Sequence, residues 1–352
     1  MSWYERLINI PRLRKALLDE ESQKIFDARI DYLCTRNEEN YLNAIDSIPK
    51  KWRCEELNRK INGKSEIIIF GCGCDGLKQK RVLDLCNIEL TYWCDNNLKV
   101  IGTEVNGKTV LSVDEVIQQH KESLIIIGSR KYANEMYEDL KKGNVSDDNI
   151  LKSEYGILVA NSGNQYFDVF EPIHDEVFID AGAYNGDTIL DYFEWVDGKN
   201  KKVYAMEPIK EMAEHIVDMI NEKKINHVIL ENVAAWNKQE KVRFNIGGAG
   251  SYINDAGEIE VNAIDMDTMI NNDKVTYIKM DIEGSELKAL EGAQNIIKKY
   301  VPRLAICIYH KPEDIILIEE YILSMNSDYH FYIRHYASNM WETVLYAVPK
   351  YK

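Results

Sequence analysis

Residues 177–188 combine an apolar run, two glycines and an acid in an order that suits ligand binding at the edge of a parallel sheet. The apolar run predicts a buried strand, and Gly182 and Gly186 let the backbone that follows approach a ligand closely. Asp187 and Thr188 then supply capping oxygens for a helix that starts there. This segment therefore predicts a strand, a turn and a helix start around a nucleotide-like cofactor.

A second acid follows the next apolar run, at a position that suits a ribose. Glu207 comes directly after the predicted strand 202–206, where a carboxylate can accept hydrogen bonds from both ribose hydroxyls. The first turn lacks a complete G-x-G-x-x-G, and no Lys-Ser or Lys-Thr pair follows it as in a P-loop. The pattern therefore favours S-adenosylmethionine over a dinucleotide or a triphosphate.

In such a site the turn at Asp180 would face the methionine part of the cofactor and Glu207 its ribose. The residues that close the predicted strand 228–231 would face the adenine. The predicted cofactor-binding residues are Asp180, Gly182, Ala183, Tyr184, Gly186, Asp187, Thr188, Glu207, Asn232 and Ala234. Two alternatives stay open: Asp180 could only form the turn, and Glu207 could be a solvated residue ahead of Pro208.

Four further polar residues could carry out a methyl transfer, because each lies at or just past the carboxyl end of a predicted strand. Strand alternation places Lys279 and Asp281 on one face, and the turn after Asp281 brings Glu283 near the same edge. His310 follows the predicted strand 304–308. Transfer to a hydroxyl needs a base, for which Asp281 or His310 could serve. We favour His310 slightly, because an unperturbed imidazole titrates near neutral pH.

These residues also have structural interpretations. His310 could be a hydrogen-bonded histidine near a surface turn, and Glu283 could be an acid that stabilises a helix start through the helix dipole. Asp281 and Glu283 could also hold a divalent cation that orients two sugar hydroxyls, although we assign no metal ligand. Arg334 and His335 are predicted to contact substrate.

The motifs around these residues resemble those of a known family. They read YIKMDIEGSE at 277–286, ALEGA at 289–293, IYHKPED at 308–314, YIRHY at 332–336 and ETVLYA at 342–347. In this order they resemble the FkbM family of S-adenosylmethionine-dependent methyltransferases, over roughly residues 165–350. The resemblance implies an O-methyltransferase acting on a hydroxyl of a sugar, a glycan or a nucleotide-sugar precursor, in the synthesis of a surface glycan or a glycosylated metabolite.

An earlier part of the chain carries another glycine-rich turn. An apolar run at 67–70 predicts a buried parallel strand, and Gly71, Gly73 and Gly76 after it match G-x-G-x-x-G. Asp95 follows where a ribose hydroxyl would be met. This part resembles the small nucleotide-binding modules at the front of some sugar-modifying enzymes, so a nucleotide-sugar could bind here. A degenerate structural copy of that fold is an equally open interpretation.

The alternation of strands and helices predicts an α/β protein with two Rossmann-like open parallel sheets, the second of the class I methyltransferase type. We expect a helical extension over residues 1–62, a nucleotide-binding module over 63–160 and a methyltransferase domain over 165–352. Apolar residues at helical spacing in the extension favour packing against a neighbouring domain or another copy of the chain.

Composition narrows the function classes. The chain has 43 Lys and Arg against 58 Asp and Glu, and its formal net charge of −15 opposes a general affinity for nucleic acid or anionic membrane. Without a signal-peptide layout or an apolar stretch of about twenty residues, we expect a cytoplasmic protein with no membrane span. The seven irregularly spaced cysteines predict neither a disulfide framework nor a zinc site.

Two other functions stay open from the sequence. The chain could be a non-catalytic protein that binds a nucleotide or a nucleotide-sugar through its two nucleotide-fold domains. An NAD-dependent sugar oxidoreductase is less favoured, because no Tyr-x-x-x-Lys pair lies at a suitable distance after the strands of the first module.

Overall fold

The computed structural model describes residues 3–154, 156–247, 250–254, 256–270 and 272–350. Within these ranges the chain forms two compact units. The first contains the described residues up to 48, those in 164–336 and those from 340 onward, and the second contains the described residues of 49–163 together with 337–339. The initial residues therefore share a unit with the C-terminal sheet. The domain boundaries expected near 62 and 165 stay a prediction.

Three helices begin the first unit. They are α1 (Trp3–Ala16), α2 (Glu20–Thr35) and α3 (Glu38–Asp46). Asp19 caps α2 by accepting a hydrogen bond from the Ser22 N–H at 2.8 Å, and Asn37 caps α3 by accepting one from the Asn40 N–H at 3.1 Å. Each cap satisfies a backbone donor that the first turn of a helix leaves unpaired.

The second unit is built on a six-stranded sheet. Its elements are α4 (Glu55–Ile61), β1 (Ile67–Phe70), α5 (Cys74–Leu85), β2 (Tyr92–Cys94), β3 (Glu104–Val105), β4 (Lys108–Leu111), α6 (Val113–Gln119), β5 (Leu124–Ile127), α7 (Ala133–Lys142), a 3-10 turn (Asp147–Asn149) and β6 (Ile150–Leu151). The strand order is β3-β4-β2-β1-β5-β6, and only the β3–β4 pair is antiparallel. The apolar runs of β1 and β5 are buried along their whole length, as central parallel strands require.

The rest of the first unit contains a seven-stranded and a four-stranded sheet. Its strands are β7 (Glu176–Ala181), β8 (Asn200–Met206), β9 (Val228–Glu231), β10 (Ala234–Trp236), β11 (Glu240–Asn245), β12 (Tyr252–Ile253), β13 (Ile259–Asp265), β14 (Tyr277–Met280), β15 (Arg303–Cys307), β16 (Tyr329–His335) and β17 (Thr343–Pro349). Its helices are α8 (Asp187–Val196), α9 (Lys210–Lys223), α10 (Met266–Met269), α11 (Glu286–Glu291), α12 (Gln294–Tyr300) and α13 (Asp314–Met325). The small sheet has the order β10-β13-β11-β12.

The large sheet has the order β16-β17-β15-β14-β7-β8-β9, in which β17 is antiparallel to both neighbours and the other pairs are parallel. The chain builds β7, β8 and β9 outward on one side and places β14 on the other side of β7. The strand order therefore reverses between β7 and β14, and open parallel sheets bind ligands at the carboxyl ends of the strands at such a point. The predicted α/β class with Rossmann-like sheets is confirmed.

An aromatic core covers one face of the large sheet and holds β7 and β14 in place. Phe178 of β7 stacks on Tyr192 with ring centroids 4.5 Å apart, and Tyr277 of β14 meets Phe170 edge to face at 5.3 Å. Aromatic side chains bury about 150–250 Å² each, so they contribute strongly to such a core. The resulting register sets Asp180 opposite Lys279.

The helices α1, α2 and α3 belong to the unit of the large sheet, and α2 packs on its edge strand β16. Arg334 forms an ion pair with Asp19 at 2.6 Å, and the buried His335 lies 3.0 Å from the Tyr41 hydroxyl through its Nδ1 atom. The structure therefore contradicts the expectation that Arg334 and His335 contact substrate, because both side chains are engaged by the initial helices. Among the described helices, none has the length and apolar character needed to cross a bilayer.

Candidate active site at the strand-order reversal of the large sheet

The turn after β7 requires glycine at its first position. Gly182 has a φ of +85°, and a Cβ atom there would lie 2.0 Å from the carbonyl oxygen of Asp281. This close approach of two backbones brings the turn against the carboxyl end of β14. Gly186, also at +85°, precedes α8, and Asp187 accepts a hydrogen bond from the Thr188 N–H at 2.7 Å. The predicted helix start at Asp187 is thus confirmed.

A buried ion pair lies beneath this turn. The Nζ atom of Lys279 is 2.9 Å from Oδ1 of Asp180, and the two side chains are 3% and 0% exposed. Lys279 also donates to the Gly182 carbonyl at 2.6 Å. Burial alone would lower the pKa of Lys279, but the charges of Asp180 and Asp281 outweigh it and raise that pKa. Lys279 therefore stays charged as the counter-ion of Asp180. The sequence predicted Lys279 as a catalytic residue and did not indicate this ion pair.

Oδ2, the other oxygen of Asp180, is buried and has no hydrogen-bond partner among the described residues. An unpaired buried acceptor is costly, so most such atoms in proteins have a partner. A hydrogen-bond donor of a ligand, or of a water, placed against this oxygen would therefore be stabilised.

Glu207 is buried at the end of β8, with 4% of its surface exposed. Its Oε2 accepts a hydrogen bond from the Tyr184 N–H at 2.9 Å, and its Oε1 accepts one from the Ile209 N–H at 2.8 Å. Burial outweighs these hydrogen bonds and raises the pKa of Glu207 to about 7. Tyr184 has a φ of 46°, which is uncommon for a residue with a side chain. Glu207 is therefore a buried carboxylate that fixes the turn, and the alternative of a solvated residue is wrong.

The two residues predicted to face the adenine, Asn232 and Ala234, lie in different parts of the fold. Asn232 follows β9, and its Nδ2 atom donates to the carbonyl oxygens of Glu207 at 2.9 Å and Pro208 at 3.1 Å. Ala234 is buried in β10 of the small sheet, where it pairs with Ala263 of β13. The fold thus brings Asn232 next to Glu207, whereas Ala234 is part of another sheet.

Three carboxylates converge on His310 beyond β14 and β15. The Nε2 atom lies 3.5 Å from Oδ1 of Asp281 and 3.3 Å from Oε2 of Glu283, and the Nδ1 atom lies 3.0 Å from Oε1 of Glu286. Burial alone would lower the pKa of His310, but Glu283 and Glu286, with the charge of Asp281, raise it to about 11. The ordinary imidazole pKa, which favoured His310 as the base, therefore does not apply in these surroundings.

Asp281 is held in place by two tyrosines. Tyr166 donates to its Oδ2 at 2.8 Å, and Tyr309 donates to its Oδ1 at 3.1 Å. Burial alone would raise the pKa of Asp281, but the charges of Lys279 and His310 outweigh it and lower that pKa. This carboxylate is therefore an ionised acceptor with a fixed orientation.

The turn after Asp281 is closed by hydrogen bonds to the side chain of Glu286. Oε1 of Glu286 accepts hydrogen bonds from the Ile282 N–H at 3.0 Å and the Gly284 N–H at 3.3 Å. Between them Glu283 takes a left-handed φ of 56°, which turns its side chain toward His310. Glu283 is therefore not the first acid of a helix, which was the structural alternative for it, because α11 begins only at Glu286.

Sequence reasoning missed four residues of this cluster, namely Tyr166, Glu286, Tyr309 and Glu342. Glu342 accepts a hydrogen bond from Gln165 at 2.6 Å, and burial together with the charge of Asp281 raises its pKa to about 7. Glu286, Tyr309 and Glu342 all stand inside the motifs quoted for the resemblance, so that resemblance could have indicated them. Tyr166 stands in an irregular segment before β7, where no pattern marks it.

The glycine-rich turn of the second unit is tightly packed. A Cβ atom on Gly76 would lie 1.9 Å from the Gly71 carbonyl oxygen, and Gly71 itself has a φ of +106°. Gly73 has open space where a side chain would begin. Asp95 accepts a hydrogen bond from the Cys72 N–H at 3.0 Å. Packing of the turn thus explains Gly71 and Gly76, and Asp95 is engaged by the turn itself.

Two family models each match a part of the chain. The family model of the methyltransferase FkbM domain matches residues 180–334, and the model "C2185-like, N-terminal" matches residues 63–151. No curated relative matches the sequence.

Solved structures of three methyltransferases are distantly similar. Methyltransferase FkbM from Methylobacillus flagellatus KT is 18% identical with a TM-score of 0.49, over 92% of this chain and 100% of that one. An rRNA methylase from Streptococcus thermophilus is 17% identical with a TM-score of 0.35, over 52% and 91%. Aeropyrum pernix fibrillarin, with natively bound S-adenosyl-L-methionine, is 10% identical with a TM-score of 0.32, over 56% and 92%.

These structural likenesses are too distant to say anything about activity, so the assignment depends on the family match. That match begins at Asp180 of β7 and ends at Arg334 of β16, so it contains the glycine turn, Glu207 and the residues 281–286 and 310 of the His310 cluster. Residues 180–334 of the chain therefore match a methyltransferase FkbM domain.

Proposed function

We propose that this chain is an O-methyltransferase that uses S-adenosylmethionine and acts on a hydroxyl of a sugar, a glycan or a nucleotide-sugar precursor. The observation that carries the proposal is the contact between two turns at the reversal of strand order, where Gly182 lies against the Asp281 backbone. One turn leads to Glu207, and the other leads to the carboxylates around His310. A cofactor and a hydroxyl acceptor would therefore meet over one edge of the sheet.

The residues on the β7 side fit the cofactor. The unpaired buried Oδ2 of Asp180 suits the ammonium group of the methionine part, either directly or through a water. Each oxygen of Glu207 accepts one backbone N–H and keeps a lone pair for a ribose hydroxyl. Asn232, beside Glu207, would lie toward the adenine. When bound, S-adenosylmethionine supplies an electrophilic methyl group on a sulfonium.

The residues on the β14 side suit a hydroxyl acceptor. Carboxylate oxygens of Asp281 and Glu283 can accept the hydrogen bond of an O–H group and so orient its oxygen. Of the two predicted bases, Asp281 is the one that could take the proton, because the pKa of His310, raised to about 11, leaves its ring already protonated at neutral pH. Lys279 would act only through Asp180, whose charge it balances.

The class of acceptor is supported by charge and by family. A formal net charge of −15 disfavours a polyanionic acceptor such as nucleic acid. The FkbM resemblance favours a sugar hydroxyl.

For the module expected over residues 63–160 we keep the proposal of a nucleotide-sugar site at Gly71, Gly73, Gly76 and Asp95. A cavity of about 400 Å³ in the same unit is lined by Arg130, Lys131 and Lys152, but by none of these four residues.

Cofactor binding can be tested by isothermal titration calorimetry with S-adenosylmethionine. Replacing Glu207 by glutamine should weaken binding more than tenfold, because a buried carboxylate loses its charge where hydroxyl donors would bind (~1.4 kcal/mol per tenfold). Glu231→Gln is the matched control, since Glu231 is an exposed acid at the end of the neighbouring strand. Equal affinities in wild type and Glu207→Gln would refute the cofactor placement.

The transfer step has a separate test. His310→Ala should slow methyl transfer about a hundredfold or more and leave cofactor affinity nearly unchanged, whereas His174→Ala, at an exposed histidine of the same unit, should alter neither. Mass spectrometry of sugars, glycans and nucleotide-sugars incubated with enzyme and cofactor would detect the methylated product. A chain that binds cofactor and methylates none of them would contradict the sugar assignment, and an undiminished His310→Ala rate would remove His310 from the mechanism.

A further inference from the structure

We propose that Asp281, Glu283 and His310 form a binding site for one divalent transition-metal ion that accepts both nitrogen and oxygen ligands, such as Mn²⁺ or Zn²⁺. One ligand atom from each residue lies within 4.8 Å of the other two. The Nε2 atom of His310 is 3.5 Å from the Asp281 oxygen and 3.3 Å from the Glu283 oxygen. Ligands held at about 2.1 Å from an ion lie about 3 Å apart when adjacent and about 4 Å apart when opposite, so small adjustments would complete the site.

The imidazole of His310 points into this cluster without a hydrogen bond. Its side chain is only 8% exposed, and neither ring nitrogen has a hydrogen-bond partner among the described residues. The carboxylate oxygens 3.0–3.5 Å away are close enough to form ion pairs with the ring. A buried, unpaired nitrogen aimed between two carboxylates is the arrangement that a bound cation would satisfy.

The groups around the three residues match the outer shell of a metal site. Metal-binding histidines usually direct their second ring nitrogen at a carboxylate or a carbonyl, and the Nδ1 atom of His310 lies 3.0 Å from Glu286. Metal-binding carboxylates are themselves hydrogen-bonded, and Asp281 accepts from Tyr166 and Tyr309. Asp281 and His310 thus have the supporting contacts that metal ligands need. Glu283 is the most exposed of the three residues, with 28% of its side chain exposed.

The negative charge of the cluster favours a cation, and the types of its ligand atoms narrow the choice of metal ion. Three carboxylates surround one imidazole, whereas Lys279 is paired with Asp180 and Lys311 donates to the Gly284 carbonyl. An imidazole nitrogen disfavours Mg²⁺ and Ca²⁺, which prefer oxygen ligands, whereas Mn²⁺ and Zn²⁺ accept a mixed nitrogen and oxygen set. If the proposed function holds, the ion would also polarise the acceptor hydroxyl, but its binding requires neither cofactor nor acceptor.

The experiment is a titration of the full-length protein, freed of metal with EDTA and dialysed, with MnCl₂. Electron paramagnetic resonance follows the six-line signal of free Mn²⁺. We expect one bound ion per chain, and a Kd at least tenfold higher in Asp281→Asn, Glu283→Gln and His310→Gln. Glu313→Gln is the matched control, because it removes one negative charge three residues from His310 without removing a ligand, and its Kd should stay within twofold of wild type.

Unfolding of each variant is checked by circular dichroism, and Glu283→Gln keeps the test informative, since its partly exposed side chain is the least costly to replace. The proposal is overturned if wild type leaves the free Mn²⁺ signal unchanged, or if folded Glu283→Gln and Glu313→Gln bind equally well. Zn²⁺ should displace Mn²⁺ far better than Mg²⁺ does, and equal displacement by Mg²⁺ would overturn the role of His310. Calorimetry with S-adenosylmethionine on metal-free wild type tests the proposed function separately.

Discussion

Asp180 and Glu207 are both buried acids at the carboxyl ends of neighbouring strands, but only Asp180 has a cation beside it. The ammonium group of Lys279 lies 2.9 Å from Asp180, so this carboxylate is balanced inside the protein. Among the described residues, the Glu207 carboxylate accepts hydrogen bonds from the backbone N–H groups of Tyr184 and Ile209, and burial raises its pKa to about 7. Ionisation of Glu207 therefore falls in the neutral range, where it can control what the site binds.

Cofactor affinity should consequently depend on pH through Glu207. An ionised carboxylate is the better acceptor for ribose hydroxyls, so affinity should rise as pH increases through about 7 and fall by at most about tenfold per unit below it. Calorimetry with S-adenosylmethionine at about pH 6 and about pH 8 measures this difference. Glu207→Gln should bind with nearly the same low affinity at both values. A wild-type affinity that does not change over this range would count against the ribose role.

The elements of the site are positioned by contacts that tolerate no added atom. The turn after β7 and the end of β14 touch through Gly182. Asp281, which directly follows β14, is the first residue of the His310 cluster on that side. The distance between cofactor side and acceptor side thus depends on two adjacent strands. A change at this contact should be felt in both stability and binding.

Gly182→Ala tests this contact. The added Cβ atom would meet the Asp281 oxygen at 2.0 Å in a conformation with positive φ, so strain of about 1–2 kcal/mol and overpacking of about 1–3 kcal/mol should add. Gly198→Ala is the matched control, since Gly198 also has a positive φ of +75° but has open space around it. We expect Gly182→Ala to lower the Tm more than Gly198→Ala and to lose cofactor binding. Equal effects would show that the contact between the turns is unimportant.

Helix α13 carries a buried acid with no partner. Glu319 is fully buried, neither of its carboxylate oxygens has a hydrogen-bond partner among the described residues, and burial raises its pKa from 4.5 to about 8. Between these values the folded state holds a proton that the unfolded state has lost. The contribution of Glu319 to stability is therefore lost as pH rises from about 4.5 to about 8.

We expect Glu319→Gln to reduce this decline, because an amide of the same shape cannot ionise. Thermal unfolding at about pH 5 and about pH 8 should show a smaller fall in Tm for the variant than for wild type. Glu231→Gln, at an exposed acid, should follow wild type. A parallel decline in Glu319→Gln and wild type would show that this carboxyl is not the source.

At the scale of the whole molecule, the first unit joins segments from both ends of the chain. The helices α1, α2 and α3 precede the second unit in sequence but pack on β16, which lies near the other end. Their contacts include a buried Arg29 that donates to the Met340 carbonyl at 2.7 Å and to the Thr343 hydroxyl. The initial helices thus contribute directly to the core of the unit that holds the methyltransferase domain.

Removing residues 1–48 should destabilise that unit. Ile25, Phe26, Tyr41 and Ile45 are fully buried, and burying a large apolar side chain contributes about 1.5–3 kcal/mol, against a typical net stability of about 5–15 kcal/mol. We expect a chain that starts at residue 49 to unfold at a much lower Tm or to remain unfolded, as followed by circular dichroism. Unfolding at the same temperature as the full chain would contradict this account.

Local patterns in the sequence were sufficient to locate most elements of the fold. The runs at 67–70, 124–127 and 228–231 are strands with the same bounds as predicted, because four apolar or alternating residues between breakers have few other conformations. The turn at Gly182 and the helix start at Asp187 follow from glycine conformation and helix capping, which are also local. The FkbM motifs, read in order, predicted the FkbM domain that the family model matches over residues 180–334.

Only the tertiary structure decided which of these residues work together. The sequence does not show that β17 inserts antiparallel beside β15, that Lys279 is used by Asp180, or that Arg334 is used by Asp19. It also does not show that three carboxylates meet at His310, since these residues approach one another only when β14 and β15 lie side by side. Charge state and ligand geometry depend on burial and on distances between residues far apart in the chain, and those quantities exist only in the folded protein.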